Sequence, residues 1–243
     1  MSLIAANLQD MYAKIDAAIK GRLPAFFSPV TLIAVSKTKP LGDVMEAYRA
    51  GQNDFGENYV QEAIDKISAF RNSADSTSAD HRQVQWHLIG PLQSNKAKLV
   101  ATHFDWVHTI DRTKIADALN AHRGDNVSPL NVLVQINISA EASKSGVNID
   151  DAEILLKHMA TLKKLRCRGL MAIVENSHDE TTLRAQFRQL RQLFDEIKGE
   201  HADVDTLSMG MSQDFALAID EGATMVRIGS AIFGARPRHD VVY

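Results

Sequence analysis

The chain has one cysteine, Cys167, among 243 residues, so no intramolecular disulfide can form and no cysteine-based metal site is available. Charge of one sign is equally scarce: 27 Lys and Arg against 30 Asp and Glu leave a net −3. That balance excludes a global attraction to nucleic acid or to an anionic membrane surface, so any anionic ligand must be held locally. Long apolar runs are missing too. No window offers the roughly 18 apolar residues of a membrane span, and the opening MSLIAANLQDMYAKIDAAIK lacks a basic region followed by a compact apolar block. A cytoplasmic protein in a reducing compartment is the expectation. The nine histidines show no H-E-x-x-H or other compact spacing, which argues against a metal site.

What is present is alternation. Leu8, Met11, Ile15 and Ile19 recur at helical spacing and predict an N-terminal helix over about 3–20. From Thr31 onward, short apolar or β-branched runs alternate with amphipathic ones. Strands are predicted at 31–36, 53–56, 84–89, 105–110, 131–139, 166–174, 206–210 and 225–230. The clearest helix is 180–198, where Leu183, Phe187, Leu190, Phe194 and Ile197 step by four and three. Strand then helix, without hairpin signals, implies parallel strands joined by right-handed crossovers. Eight such units in one chain of this length predict a single-domain (β/α)8 TIM barrel. An open doubly wound sheet is the alternative, but no G-x-G-x-x-G follows a first strand. The polar tract RNSADSTSADHR, 71–82, reads as an exposed loop rather than a domain boundary.

The active end of such a barrel is where its strands finish. TLIAVSK places Thr31, Ile33, Val35 and Lys37 on one face, so an inward Val35 carries Lys37 inward with it. Two readings are open: a lysine snorkelling from the rim, or an amine able to form a Schiff base with an aldehyde. Lys39 could compete for that role, but beside Pro40 it reads as part of an exposed turn. At the far end of the chain, Ser208, Gly210 and Ser212 close the seventh strand and open a helix, and Gly229 and Ser230 close the eighth. Loops in those two positions commonly hold phosphate in this fold. Arg227 shares a face with Met225 and Gly229, either in a structural ion pair or facing a ligand. An aldehyde-trapping lysine, a phosphate cradle and an inward arginine in one barrel mouth are the requirements of pyridoxal 5′-phosphate (PLP). His87, beside Trp86 in the third strand, is either a pocket residue or a satisfied core histidine.

The stretches AVSKTKP, DFGENYVQEA, WHLIGPLQSNK, GLMAI, SMGMSQDF and VRIGSAIFGAR occur in that order across most of the chain. Together they resemble the signature segments of the pyridoxal phosphate homeostasis protein family. The resemblance implies a barrel similar to the N-terminal domain of alanine racemase, with PLP held as a Schiff base on Lys37. It also implies phosphate contacts from Ser208, Gly210, Gly229 and Ser230, Arg227 facing the pyridine nitrogen, and Asn58 of the GENY segment on the ring side. Ser230 stands where threonine is frequent in that family, which preserves the hydroxyl, and VENS after GLMAI matches no pattern. The implied role is to hold PLP and deliver or buffer it for apo-enzymes. The alternative is a racemase-like enzyme. Racemases resembling this barrel carry a second, β-rich domain, and only PRHDVVY follows the last barrel motif here, so custody by a monomer is the expectation.

Overall fold

The apolar, β-branched runs form strands because their side chains pack well on both faces of a buried sheet. In the computed structural model, which describes residues 2–22, 29–73, 83–139, 145–174, 179–201 and 203–235, these strands are β1 (Thr31–Val35), β2 (Asp54–Glu57), β3 (Gln85–Leu88), β4 (Trp106–Ile110), β5 (Leu130–Ile136), β6 (Leu165–Ala172), β7 (Thr206–Ser208) and β8 (Met225–Ile228). Each pairs in parallel with the next, and β8 returns to β1 in the register Thr31↔Met225 to Ala34↔Ile228. That seam closes the barrel and excludes the open sheet.

Helices alternate with the strands: α2 (Leu41–Arg49), α3 (Val60–Arg71), α4 (Ala97–His103), α5 (Thr113–His122), α6 (Ile149–Ala160), α7 (Glu180–Glu200), α8 (Phe215–Asp220) and α9 (Ser230–Phe233). In α7 the five residues picked out by spacing are all buried. Its start is set by Asp179, whose carboxylate accepts from the N–H groups of Thr181 and Thr182. The N-terminal helix α1 (Leu3–Gly21) buries Ile4, Leu8, Met11 and Ile15, while Ile19 is only partly covered. It packs across α8 and α9, and Asn7 Nδ2 donates to the Ile232 carbonyl at 2.9 Å.

Two apolar layers result. The larger lies between strands and helices, and the smaller fills the barrel interior with Ile33, Trp106, Leu133, Met171 and Met225. Several strands stop earlier than predicted. β7 ends at Ser208 and β8 at Ile228, because Gly210 turns the chain at φ +93° and Gly229 caps α9. Past β8, the released Gly229 and Ser230 form part of the rim of the barrel mouth. Of the polar tract 71–82, positions 74–82 lie outside the described residues, as do 175–178 of the VENS region and the final HDVVY. Among the described residues no helix is long and apolar enough to cross a membrane, and no His, Cys, Asp and Glu cluster is arranged to hold a metal.

Candidate cofactor site

The turn after β1 is tied from three sides. Ser36 is fully buried, its N–H donates to the Gly56 carbonyl at 2.9 Å, and its hydroxyl donates to Glu57 Oε1 at 2.6 Å. The Lys66 ammonium, also buried, donates to the Ser36 carbonyl, to Glu57 Oε1 and to Glu62 Oε1 at 2.8, 2.6 and 3.0 Å. Glu62 in turn accepts from the Thr38 N–H at 2.6 Å. Thr38 has φ 62°, a left-handed conformation that disfavours a β-branched side chain and persists only where surrounding bonds hold it. Burial raises the Glu57 carboxyl, opposed by Lys66 and Ser36. Lys37 therefore sits between two backbone positions that Glu57, Glu62 and Lys66 fix from below.

Above this turn opens a cleft of about 220 Å³. Lys37, Arg227, Gly229, Ser230 and Asn58 line it, with Ser212 and Met211 from the β7 loop and Ile89 and Ile173 as apolar wall. A second compartment of about 260 Å³ shares Asn58, Ile89 and Ile173 and continues to Thr109, Gln135 and Asn137. Together they fall within the range of roughly 300–1,000 Å³ usual for small-molecule sites. In α9, Ile232 and Phe233 donate back to Gly229, which leaves the N–H groups of Ser230 and Ala231 without intrahelical acceptors. Asn58 Oδ1 is buried and has no hydrogen-bond partner among the described residues.

Arg227 reaches the cleft from the barrel interior. Its guanidinium donates to Ser208 Oγ at 2.6 Å and to the Ala172 carbonyl at 2.9 Å. Burial lowers it to about 10, with Asp214 opposing, so it stays protonated at neutral pH. Behind it, Ser208 Oγ lies 3.1 Å from His108 Nδ1, His108 Nε2 lies 3.0 Å from His87 Nδ1, and His87 Nε2 lies 3.1 Å from Asp54 Oδ1. His87 also stacks on Trp106. Burial, and then the proximity of His87 and Arg227, hold His108 well below the usual imidazole range. The unfolded chain therefore takes up a proton at this residue below about pH 6.5 that the folded chain refuses, so stability should fall as pH drops through that point. The contribution is at most about 1.4 kcal/mol per pH unit. Urea midpoints at pH 7.5 and 5.5, for the wild type and His108→Asn, measure it: the variant should lose part of the acid-side decline.

Five of the seven residues singled out in the sequence meet in this cleft: Lys37, Asn58, Arg227, Gly229 and Ser230. Ser208 and Gly210 do not line it. The Ser208 side chain is fully buried and engaged by His108 and Arg227. Gly210 is required by packing, since a Cβ there would stand 2.6 Å from Ala218 Cβ of α8. Ser212, two positions on, lines the cleft instead. His87 is a satisfied core histidine rather than a pocket residue.

Lys39 corrects the exposed-turn reading. It is half-buried, and its ammonium caps α9 by donating to the carbonyls of Phe233, Gly234 and Ala235 at 2.9, 3.2 and 3.0 Å. Lys39→Met should lower stability by about 1.5–3 kcal/mol, the usual worth of a hydrogen bond involving a charged group, while leaving covalent modification of Lys37 intact. Thermal melts and mass mapping of the two lysines separate these effects.

The family model of the alanine racemase N-terminal domain matches residues 13–237. A pyridoxal phosphate homeostasis protein of Vibrio alginolyticus is 48% identical over 241 residues, covering 97% of this chain and 99% of its own. One from Escherichia coli K12 is 50% identical over 238 residues, covering 97% and 98%. The chain belongs to the pyridoxal phosphate homeostasis protein family. PipY of Synechococcus elongatus, solved with PLP bound, superposes with a TM-score of 0.78 at 35% identity, covering 95% of this chain and all of that one. The eight-stranded closed barrel is thus the fold of the family.

Proposed function

We propose that this protein binds PLP through Lys37 and keeps it in reserve for apo-enzymes inside the cell, acting as a monomer. The observation that carries the reading is the convergence of Lys37 from β1 with Arg227, Gly229 and Ser230 from β8 in one cleft across the barrel seam. The residues present fit the cofactor. Ser212, Ser230 and the exposed N–H groups at the start of α9 suit the phosphate, Arg227 offers donors to the ring nitrogen, and Asn58 offers an unused acceptor. The cofactor's aldehyde condenses with a lysine amine to a Schiff base, releasing water.

Custody rather than turnover is supported by the electrostatics. A protonated guanidinium donates to a pyridine nitrogen and leaves that nitrogen unprotonated, which makes a poor electron sink. Among the described residues lining the cleft there is no carboxylate, imidazole, phenol or thiol to serve as a second acid or base. Lys39 is committed to three carbonyls. The names of the E. coli and Vibrio relatives and the PLP-bound PipY structure point the same way.

The test is titration with PLP followed by borohydride reduction and peptide mass mapping, together with an amino acid panel assayed for racemisation and decarboxylation. One reduced adduct on Lys37 and no turnover are expected. A different lysine, or robust racemisation, would overturn the reading.

A further inference from the structure

The buried chain behind Arg227 has a fixed direction. Arginine can only donate, so Ser208 Oγ accepts from it, at 2.6 Å. Asp54 sits at the opposite end, on the first residue of β2 at the barrel floor, with its side chain 26% exposed. Its carboxylate can only accept, so His87 presents Nε2–H to it. With one proton on each imidazole, the bare Nδ1 of His87 accepts from His108 Nε2–H, and the bare Nδ1 of His108 accepts the Ser208 hydroxyl proton. Every bond thus points the same way, from the guanidinium in the cleft to the carboxylate on the floor. Reversing the order would place an imidazolium at a position of zero solvent exposure, or a proton on Asp54.

We propose that His108 and His87 are positioning residues that act through Ser208 on Arg227, holding the guanidinium so that its remaining N–H groups address the ring nitrogen of the bound cofactor. This inference rests on the PLP reading above. Ser208 is the hinge of the arrangement. While His108 Nδ1 takes its hydroxyl proton, its lone pairs are turned to Arg227, and the Ala172 carbonyl holds the second arm of the fork. Without an acceptor at Nδ1, the hydroxyl proton is free to turn toward the guanidinium, and the arginine loses one of its two buried anchors.

Two substitutions at one position separate orientation from packing. Asparagine places an amide oxygen close to where imidazole Nδ1 stands, whereas glutamine reaches toward Nε2 and leaves the Nδ1 position empty. The probes are PLP and its analogue in which the ring nitrogen is replaced by CH; both carry the aldehyde and the phosphate. The wild-type protein freed of PLP should bind PLP about tenfold more tightly than the analogue, the scale of one hydrogen bond from a charged donor. His108→Gln should reduce that preference to roughly threefold or less, while His108→Asn retains it and both still form the Lys37 adduct. A mere loss of stability would weaken both ligands alike and leave their ratio unchanged.

An unchanged ratio in His108→Gln overturns the inference. So does a wild-type ratio near one with the Lys37 adduct present, which would take Arg227 off the ring nitrogen while leaving custody intact. Absence of any Lys37 adduct in the wild type defeats the PLP reading itself. If His108→Gln does not fold, Ser208→Ala removes the same hinge. Its ratio should fall likewise, and an unchanged ratio there is equally fatal.

Discussion

Lys37→Ala is expected to abolish covalent capture of PLP completely: no Schiff-base absorbance, and no borohydride-stable adduct on any peptide. The expectation follows from geometry. Among the described residues the cleft contains one other amine, and Lys39 is tied to three helix-end carbonyls. Phosphate and ring contacts survive the substitution, so dialysis should still show weak retention of the ligand, reduced by roughly tenfold or more. Lys37→Arg is the companion variant, because it keeps the positive charge but replaces a nucleophilic amine with a guanidinium. It should match Lys37→Ala in spectrum and exceed it in retention. A Schiff-base band in either variant would move the covalent site elsewhere.

Gly169→Ala should destabilise the barrel more than any surface change. Gly169 lies in β6 beside Thr206 of β7, with φ +142°, and an added Cβ would stand 2.0 Å from the Thr206 carbonyl oxygen and 3.2 Å from Phe194 of α7. The side chain has no room because the nearest obstacle is backbone in the neighbouring strand. Left-handed strain and overpacking together amount to about 4 kcal/mol. For a chain of this length that is a fall of roughly 10 °C in melting temperature, measurable by circular dichroism. Gly199→Ala is the control. Gly199 lies in α7 with nothing within 4 Å of its virtual Cβ, so alanine there should be neutral or raise stability by up to about 1 kcal/mol. Equal melting temperatures for the two variants would contradict the account.

The parts of this protein that follow a period of two or 3.6 were legible in its sequence. Alternation alone placed Val35 with Lys37 and Met225 with Arg227, and these residues do share the barrel's inner face and mouth. Helical spacing found the buried face of α7. What escaped was pairing across the barrel. His108 shares a strand face with Trp106, and Trp106 pairs with His87, so alternation could have turned both histidines inward. The contact from His108 on β4 to Ser208 on β7 spans the interior, however, and depends on strand stagger that no local pattern encodes. For the same reason Ser208 read as a phosphate ligand: its small hydroxyl side chain says nothing of whether it faces the mouth or the interior. Lys39 was misread because its acceptors lie about 200 positions further along the chain.

On the proposed reading of the site, the seam between β1 and β8 makes ligand capture depend on a closed barrel. Lys37 follows the first strand and Arg227 lies in the eighth, so the proposed site is assembled only when those two strands meet. An unclosed folding intermediate thus carries Lys37 without a pocket around it. Since only the closed barrel can bind, each bound cofactor molecule also locks the seam, shifting the folding equilibrium by mass action in proportion to ligand concentration. The cell's supply of the cofactor would in this way help set how long the protein that stores it survives proteolysis.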